Sequence, residues 1–398
     1  MKSIKTLIAN QWQQLSLSIL LVIVTLSLLL FRLSTHPLKL SSTELDTYNS
    51  SLSLHKIIHN ITNLPFKLAE HSVKFLFGQN VFDIRLTPVL FGAIAVLLMF
   101  YILKFWLSSW WYAALGTVIF ETSSWFLHTA RFNSPSILLM DGVLVLFACG
   151  IWFRHTRKRG LALAISTIVI GTVIYVPGLI YLIALGIIVE RETIIHELKH
   201  NKAYVKALCG VLFLIFLAPL SIGIYKNPEV LKPIFGLPSH FLFGRSILFN
   251  FLDIFKSLFV SGSFSPAVWL GKIPVLNIFE DIMLVLGAYA FWQNKTLVRS
   301  KLLVVGLALS LVLITLSGPV NLSIIIPLIY FLIVTGVVYM LQEWFKVFPN
   351  NPVARGLGVG VLCLAILFSC NYHLREYYVA WSNSPATQKV FDQLPPSI

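Results

Sequence analysis

Long apolar runs recur along the chain and restrict its fold more than any other feature. They lie at about 15–31, 86–106, 110–127, 135–153, 161–175, 178–189, 205–224, 274–292, 302–317, 321–341 and 354–371. A helix needs about 20 apolar residues to cross a bilayer, and a backbone in lipid must satisfy its hydrogen bonds internally. The sequence therefore predicts an all-α polytopic membrane protein with about 11 transmembrane helices.

The composition agrees with a membrane protein and argues against a nucleic-acid partner. Only 12% of the 398 residues are charged and 57% are hydrophobic, whereas about a quarter of a soluble domain is charged. The net charge of +14 comes from Lys and Arg residues between the apolar runs, outside any recognition motif. This placement suits membrane lipids with anionic headgroups as partners.

Basic loops predict the orientation of the chain in a cytoplasmic membrane. Lys and Arg cluster at 154–159, 199–206, 295–301 and 346–355, and such short loops face the cytoplasm. With two short crossings that form a hairpin around Pro177-Gly178, the N-terminus is then cytoplasmic. The single membrane domain, 1–398, exposes two long extracytoplasmic loops, 34–83 and 225–273, and an extracytoplasmic tail, 372–398.

The first long loop carries two acidic residues, Glu44 and Asp46, at the start of an amphipathic segment, 42–60. Helical spacing predicts a surface helix there, with Ser42 or Thr43 as its N-cap. Two residues apart, the carboxylates point in nearly opposite directions on a helix. One of them could act as a general base, or both could simply favour the helix N-terminus.

Two arginines fall at the outer ends of predicted helices, Arg85 and Arg131. Arg131 lies in a polar cluster with His128 and Asn133, where a guanidinium suits either a phosphate or the membrane interface. Glu121 and Asp141, inside apolar runs, are structural candidates that would pair with Arg131 or Arg154.

Metal and cofactor binding are not indicated by any motif. The histidines and the four cysteines lack ligand spacing, so no metal site is predicted and no cofactor is assigned; a divalent cation has no motif to support it.

Two stretches resemble one family. Asp-Ile-Arg-Leu-Thr-Pro-Val-Leu-Phe-Gly at 83–92 and Glu-Thr-Ser-Ser-Trp-Phe-Leu-His-Thr-Ala-Arg at 121–131 resemble motifs of the GT-C superfamily of membrane glycosyltransferases. The similarity is to its protein-mannosyltransferase and aminoarabinose-transferase-like branch, and residues 318–328 are more distantly similar. The resemblance implies a GT-C-like bundle with two long outer loops.

The resemblance also implies an activity. Such enzymes transfer a sugar, with inversion, from a polyprenyl-phosphate or polyprenyl-diphosphate carrier to a lipid, glycan or protein acceptor on the outer face. The carboxylate position in the first loop matches Glu44, with Asp46 the near alternative. The positions implied for binding the donor are Arg85, His128, Arg131 and Asn133, together with Arg245 in the second loop.

Two alternatives remain open. Asn-Ser-Pro-Ser at 133–136 replaces the acid that the family usually shows after the arginine, as in a non-catalytic protein with the same fold. A flippase or transporter for a lipid-linked substrate would instead show paired broken helices in two halves, and only one break, within 161–189, is evident.

Overall fold

The computed structural model describes residues 2–237, 245–262, 264–293, 298–317 and 321–394. Regular structure in these ranges is helical, and an isolated antiparallel bridge joins Leu40 to Gln393. The all-α prediction is confirmed. The helices are α1 (Lys2–Leu30), α2 (Ser42–Ser50), α3 (Leu54–His59), α4 (Leu64–Phe77), α5 (Val81–Leu107), α6 (Trp110–Glu121), α7 (Ser124–Arg131), α8 (Ile137–His155), α9 (Arg159–Val173), α10 (Ile180–Val189), α11 (Arg191–His200), α12 (Ala203–Lys226), α13 (Leu231–Ile234), α14 (Arg245–Phe259), α15 (Ile278–Gln293), α16 (Val298–Ser317), α17 (Ile326–Val347), α18 (Pro352–Arg375) and α19 (Pro385–Val390).

Six of the described helices are long and apolar enough to cross a bilayer: α1, α5, α8, α12, α17 and α18. Helices α9, α10 and α16 are shorter apolar segments. The protein is therefore a multi-pass membrane protein, and the predicted number of about 11 crossings stays a prediction. The break predicted around Pro177-Gly178 lies between α9 and α10, where Gly178 has a φ of +75°.

The predicted apolar run at 110–127 is divided between α6 and α7. Ser123 interrupts the helix, because its extended backbone and side-chain oxygen cap the start of α7. That oxygen accepts the N–H of Phe126 at 3.4 Å. The second helix, α7, therefore begins afresh at Ser124 and carries His128 and Arg131.

The first long loop folds into α2, α3 and α4, so the prediction of one helix over 42–60 is wrong. The N-cap of α2 is Ser41, not Ser42 or Thr43, because Ser41 and Glu44 exchange reciprocal backbone-to-side-chain hydrogen bonds. Ser53 caps α3 and so divides the segment. Glu44 and Tyr48 are buried, and Tyr48 packs with Ile84 of α5, which attaches α2 to the bundle.

Helices α15 and α17 make the closest backbone approach of the bundle's described helices. A Cβ built on Gly287 would lie 1.9 Å from the carbonyl oxygen of Leu332, and one on Gly336 would lie 1.9 Å from that of Met283. Small residues permit such contact between helices in a membrane. The rigid pair supports Glu280 at the start of α15.

The C-terminal segment folds back over the end of the bundle. A π-helical turn, Glu376–Trp381, continues α18, and α19 follows it. Trp381 Nε1 donates to the carbonyl of Pro266 at 3.0 Å, and the hydroxyl of Tyr378 donates to the carbonyl of Leu28. The bridge between Leu40 and Gln393 joins the segment to the first loop. The rings of Tyr377 and Trp381 pack against His128, so this segment also contacts α7.

Candidate active site

Glu44 and Arg85 form a buried ion pair where α2 meets α5. Arg85 donates from Nε to Glu44 Oε1 at 2.9 Å and from Nη2 to Oε2 at 3.1 Å, and both residues are at most 1% exposed. Its remaining N–H groups donate to the carbonyls of Leu33, Pro37 and Lys39. All five donors of this guanidinium are thus used within the protein. Arg85 holds the segment that follows α1 in place.

Glu44 receives two further hydrogen bonds. The backbone N–H of Ser41 donates to Oε2 at 3.0 Å, and that of Asn133 donates to Oε1 at 3.3 Å. Each oxygen accepts two N–H groups, which fills the acceptor capacity of a carboxylate. The helix-capping role considered from sequence is therefore present. The role of Glu44 as a general base stays a prediction, and its carboxylate has no free lone pair in this arrangement.

A second buried carboxylate, Glu70 on α4, lies beside the first. The side-chain amide of Asn133 connects the two residues. Its Nδ2 donates to Glu70 Oε1 at 2.6 Å and to the backbone carbonyl of Glu44 at 3.3 Å. Oε2 of Glu70 has no well-aligned hydrogen-bond partner within the described ranges, although the Ser51 hydroxyl and the Lys67 ammonium both interact with this carboxylate. Burial raises the pKa of Glu70 above its usual 4.5. Glu70, which sequence reasoning missed, therefore keeps an oxygen that can accept a proton.

Lys67 lies one turn before Glu70 on α4. Its Nζ donates to the carbonyl of Asn60 at 2.6 Å, and burial lowers its pKa to about 8. Burial therefore disfavours the charged form of the Lys67 amine. Asp46, by contrast, is exposed on the other side of α2.

Arg131 ends α7 with a guanidinium that is partly paired. Nη2 donates to the carbonyl of Phe31 at 2.5 Å, and the hydroxyl of Tyr378 interacts with the guanidinium, while Nε and Nη1 are buried without a well-aligned acceptor among the described residues. The rings of Tyr377 and Tyr378 lie 5.1 Å and 4.9 Å from its central carbon. Buried N–H groups without acceptors are costly, so this arrangement suits an anionic ligand.

His128 lies one turn before Arg131 on the same face of α7. Its ring is 3% exposed, and neither nitrogen has a hydrogen-bond partner in the part of the chain that the structure describes. Trp269, Tyr377 and Trp381 surround it, with ring centroids 5.3, 4.7 and 4.5 Å away. The second loop and the C-terminal segment thus meet α7 around an imidazole that can still donate or accept a hydrogen bond.

A further buried cluster anchors the start of α7. Ser124 Oγ donates to Glu376 Oε2 at 2.6 Å and lies 2.7 Å from His373 Nδ1, while His373 Nε2 lies 2.9 Å from Glu280 Oε2. Tyr330 donates to the other oxygen of Glu280 at 2.9 Å. The carboxylates lie on opposite sides of the ring, an arrangement that an imidazolium satisfies. The scarcity of acids in the chain could have drawn attention to Glu280 and Glu376.

Three sequence candidates remain: Arg245, Glu121 and Asp141. Arg245 begins α14, and its side chain lies outside the described residues. The expected pairing of Glu121 or Asp141 with an arginine is wrong. Glu121 accepts a hydrogen bond from Thr25 at 2.6 Å, and both carboxyl oxygens of Asp141 are buried without a partner in the described ranges. Across those ranges, no three His, Cys, Asp or Glu side chains are grouped to hold a metal ion.

The sequence and the fold are similar to those of known glycosyltransferases. Residues 62–224 match the family model of dolichyl-phosphate-mannose-protein mannosyltransferases. No curated protein matches the chain. The structure of ArnT from Cupriavidus metallidurans in the apo state is 15% identical, with a TM-score of 0.57 over 96% of this chain and 78% of that one. ArnT bound to undecaprenyl phosphate is 14% identical, with a TM-score of 0.54 over 94% and 77%.

These similarities lie where the site residues are. The matched range contains Glu70, Arg85, His128, Arg131 and Asn133, and the structural similarity extends over nearly the whole chain. Over residues 62–224 this membrane protein is therefore similar in sequence to the mannosyltransferase family, and its fold is similar to that of ArnT.

Proposed function

We propose that this protein transfers a sugar from a polyprenyl-phosphate or polyprenyl-diphosphate carrier to an acceptor at the end of the bundle formed by α2, α4 and α7. The basic loops support placing that end on the outer face of the membrane, with the N-terminus cytoplasmic and the C-terminus outside. ArnT, which is similar in fold, has been crystallised with undecaprenyl phosphate, and that supports a carrier of this class.

The observation that carries the proposal is the guanidinium of Arg131. Two of its nitrogens are buried without a well-aligned acceptor among the described residues, the hydroxyl of Tyr378 interacts with it, and the rings of Tyr377 and Tyr378 lie against it. A planar guanidinium with free donors binds phosphate oxygens through short, charge-assisted hydrogen bonds. Arg85 cannot do so in this arrangement, because its donors are already used. Arg131 therefore binds the carrier phosphate, and Arg85 shapes the loop.

The base is the carboxylate that has an available oxygen. Oε2 of Glu70 has no well-aligned partner in the described ranges beside the interaction of this carboxylate with the Ser51 hydroxyl, and its raised pKa favours accepting a proton. Glu44, the position implied by the family resemblance, receives four N–H groups and holds Asn133 against Glu70. We assign Glu70 as the base and Glu44 as the residue that positions it.

The reaction then follows from these contacts. Glu70 takes the proton of the acceptor hydroxyl, whose oxygen forms a bond to the anomeric carbon of the sugar. The bond from that carbon to the carrier phosphate breaks, and its electron pair stays on the phosphate oxygen. Arg131 stabilises the charge that develops there. Attack opposite the leaving phosphate inverts the anomeric configuration.

A non-catalytic role on the same fold is the second candidate. It is favoured by the saturated carboxylate of Glu44 and by Asn133, which stands where the family usually has an acid. A protein of this kind would bind the carrier through Arg131 without turning it over.

Binding of undecaprenyl phosphate to the purified protein tests the carrier assignment. Wild type should bind it, and Arg131→Gln should bind roughly 10- to 100-fold more weakly, because hydrogen bonds to a charged group are lost. Arg375→Gln, an exposed arginine at the end of α18, is the matched control and should bind like wild type. Equal affinity of Arg131→Gln and wild type would contradict the assignment.

A further inference from the structure

A cavity of about 340 Å³ lies at the opposite end of the bundle from Arg131. Helix α5 runs from Arg85 at the candidate active site to Phe105 at the cavity, about 20 residues or about 30 Å of helix. Helix α8 begins shortly after Asn133 and ends at His155, which also lines the cavity. That length matches the hydrocarbon thickness of a bilayer, so the two sites lie near opposite membrane faces.

The cavity is predominantly apolar. It opens between α5, α8, α10 and α16, and its apolar lining includes Phe105, Val143, Phe147, Ile151, Leu182 and Leu302. Helix α10 has 10 residues, about 15 Å, and so covers only about half of a bilayer. Such a space suits a flexible hydrocarbon, because the apolar lining supplies few hydrogen-bonding groups.

Two glycines create room in the cavity. Gly150 on α8 and Gly186 on α10 both line it, and a Cβ built on either one meets no atom within 4 Å. Other glycines between the helices have no such room; a Cβ on Gly142 would lie 2.1 Å from Leu179. The cavity can therefore be filled by substitution without an immediate clash.

The mouth of the cavity is charged. Arg154 and His155 at the end of α8 line it together with Glu190, and Arg154 Nε lies 2.5 Å from Glu190 Oε1. The Arg154 side chain is 37% exposed, so a headgroup can reach it, and basic residues continue through 157–159. Arg154 is paired with Glu190 at this mouth, so a lipid phosphate would compete with Glu190 for the guanidinium.

We propose that this cavity binds one acyl chain of a phospholipid from the adjacent leaflet, with the lipid phosphate against Arg154. Apolar walls, a volume suited to a single chain and a basic rim are complementary to that amphiphile. The carrier lipid is not the occupant, because the guanidinium that fits its phosphate belongs to Arg131, about 30 Å away along α5 and α8. The exclusion of the carrier rests on the assignment of Arg131 under the proposed function, whereas lipid binding at this cavity does not depend on the sugar-transfer reaction.

Native mass spectrometry of the delipidated protein, titrated with dioleoylphosphatidylglycerol, tests this site. Wild type should retain one lipid. Gly150→Leu and Gly186→Leu should bind it at least about tenfold more weakly, because the leucine side chains occupy the space of methylene groups of the acyl chain. Leucine favours a helix more than glycine, so folding should be kept, and thermal unfolding checks this. Gly210→Leu on α12, where a Cβ also meets nothing within 4 Å, is the matched control and should bind like wild type.

Two rim variants test the position of the headgroup. Arg154→Gln should weaken binding about threefold, and Glu190→Gln, which frees the guanidinium, should strengthen it by a similar factor. Full lipid retention by folded Gly150→Leu and Gly186→Leu would overturn the proposal. So would a loss of undecaprenyl phosphate binding in these variants while phosphatidylglycerol binding stays unchanged, because the cavity would then belong to the carrier.

Discussion

Arg85 and Glu44, 41 residues apart in the chain, form a two-pronged ion pair with N–O distances of 2.9 and 3.1 Å inside the protein. The same carboxylate accepts the backbone N–H of Asn133, and the same guanidinium donates to the carbonyls that follow α1. The first loop, α5 and the end of α7 are therefore fastened at one point. Asn133 connects this point to Glu70.

Breaking this ion pair should lower the free energy of unfolding more than it affects sugar transfer. Arg85→Leu leaves the carboxylate of Glu44 buried without its cation, and we expect a loss of about 3–5 kcal/mol in the free energy of unfolding. Unfolding by denaturant in detergent measures this. Asp46→Asn, an exposed change on the same helix, should lie within about 0.5 kcal/mol of wild type. Equal stability of Arg85→Leu and Asp46→Asn would show that the pair does not hold the loop.

Removing the charge of Arg131 should affect binding more than folding. Arg131→Gln loses the hydrogen bond to the carbonyl of Phe31 and the interaction with the Tyr378 hydroxyl, and it removes two buried donors, Nε and Nη1, that lack a well-aligned acceptor in the described structure. We expect a change in unfolding free energy of at most about 1 kcal/mol, beside the loss of carrier affinity. Unfolding and binding measured on the same preparation separate the two effects. A large loss of stability with unchanged binding would assign Arg131 a purely structural role.

The pH dependence of transfer should report on Glu70. A protonated carboxyl cannot accept the acceptor's proton, so the rate rises with pH as Glu70 ionises. Because burial raises its pKa, the midpoint of this acidic limb in kcat/KM should lie above 4.5. Glu70→Gln should remove the limb together with most of the activity. A midpoint at or below 4.5, or an unchanged limb in the residual activity of the variant, would argue for another base.

The cluster at the start of α7 should stabilise the fold. Ser124→Ala removes the hydroxyl between His373 and Glu376, at a cost of about 1–3 kcal/mol. His373→Gln leaves two buried carboxylates without their cation and should cost more, about 3–5 kcal/mol. Ser72→Ala, on the exposed face of α4, serves as the control. We expect His373→Gln to have the lowest free energy of unfolding of these variants. Free energies of unfolding like that of wild type for both Ser124→Ala and His373→Gln would contradict a stabilising role of this cluster.

Local patterns predicted the helices well. Apolar runs of membrane length predicted α1, α5, α8, α12, α17 and α18, because lipid demands such runs. The division between α6 and α7 was not predicted, because Ser123 stands in an otherwise apolar run and only its cap geometry shows the break. The C-terminal residues, predicted as a tail, fold over the end of the bundle through contacts with distant segments.

Sequence reasoning named some residues of the candidate site and not others. Arg131 and Asn133 were named because polar residues break an apolar context there, and their roles stay predictions. Glu70 was missed because its partner, Asn133, is 63 residues away in the chain. Glu280 and His373, 93 residues apart, were likewise invisible to local patterns. Each pair exists only once the helices have packed.

Sugar transfer in proteoliposomes, with a panel of polyprenyl-phosphate sugars as donors, tests the central claim most directly. Wild type should turn over at least one donor, and Glu70→Gln should lose roughly 100- to 10,000-fold in rate while carrier binding is kept. Transfer that survives in Glu70→Gln but disappears in a folded Glu44→Gln would make Glu44 the base. No transfer by wild type with any donor, together with movement of lipid-linked sugar across the bilayer, would contradict the account and identify a flippase.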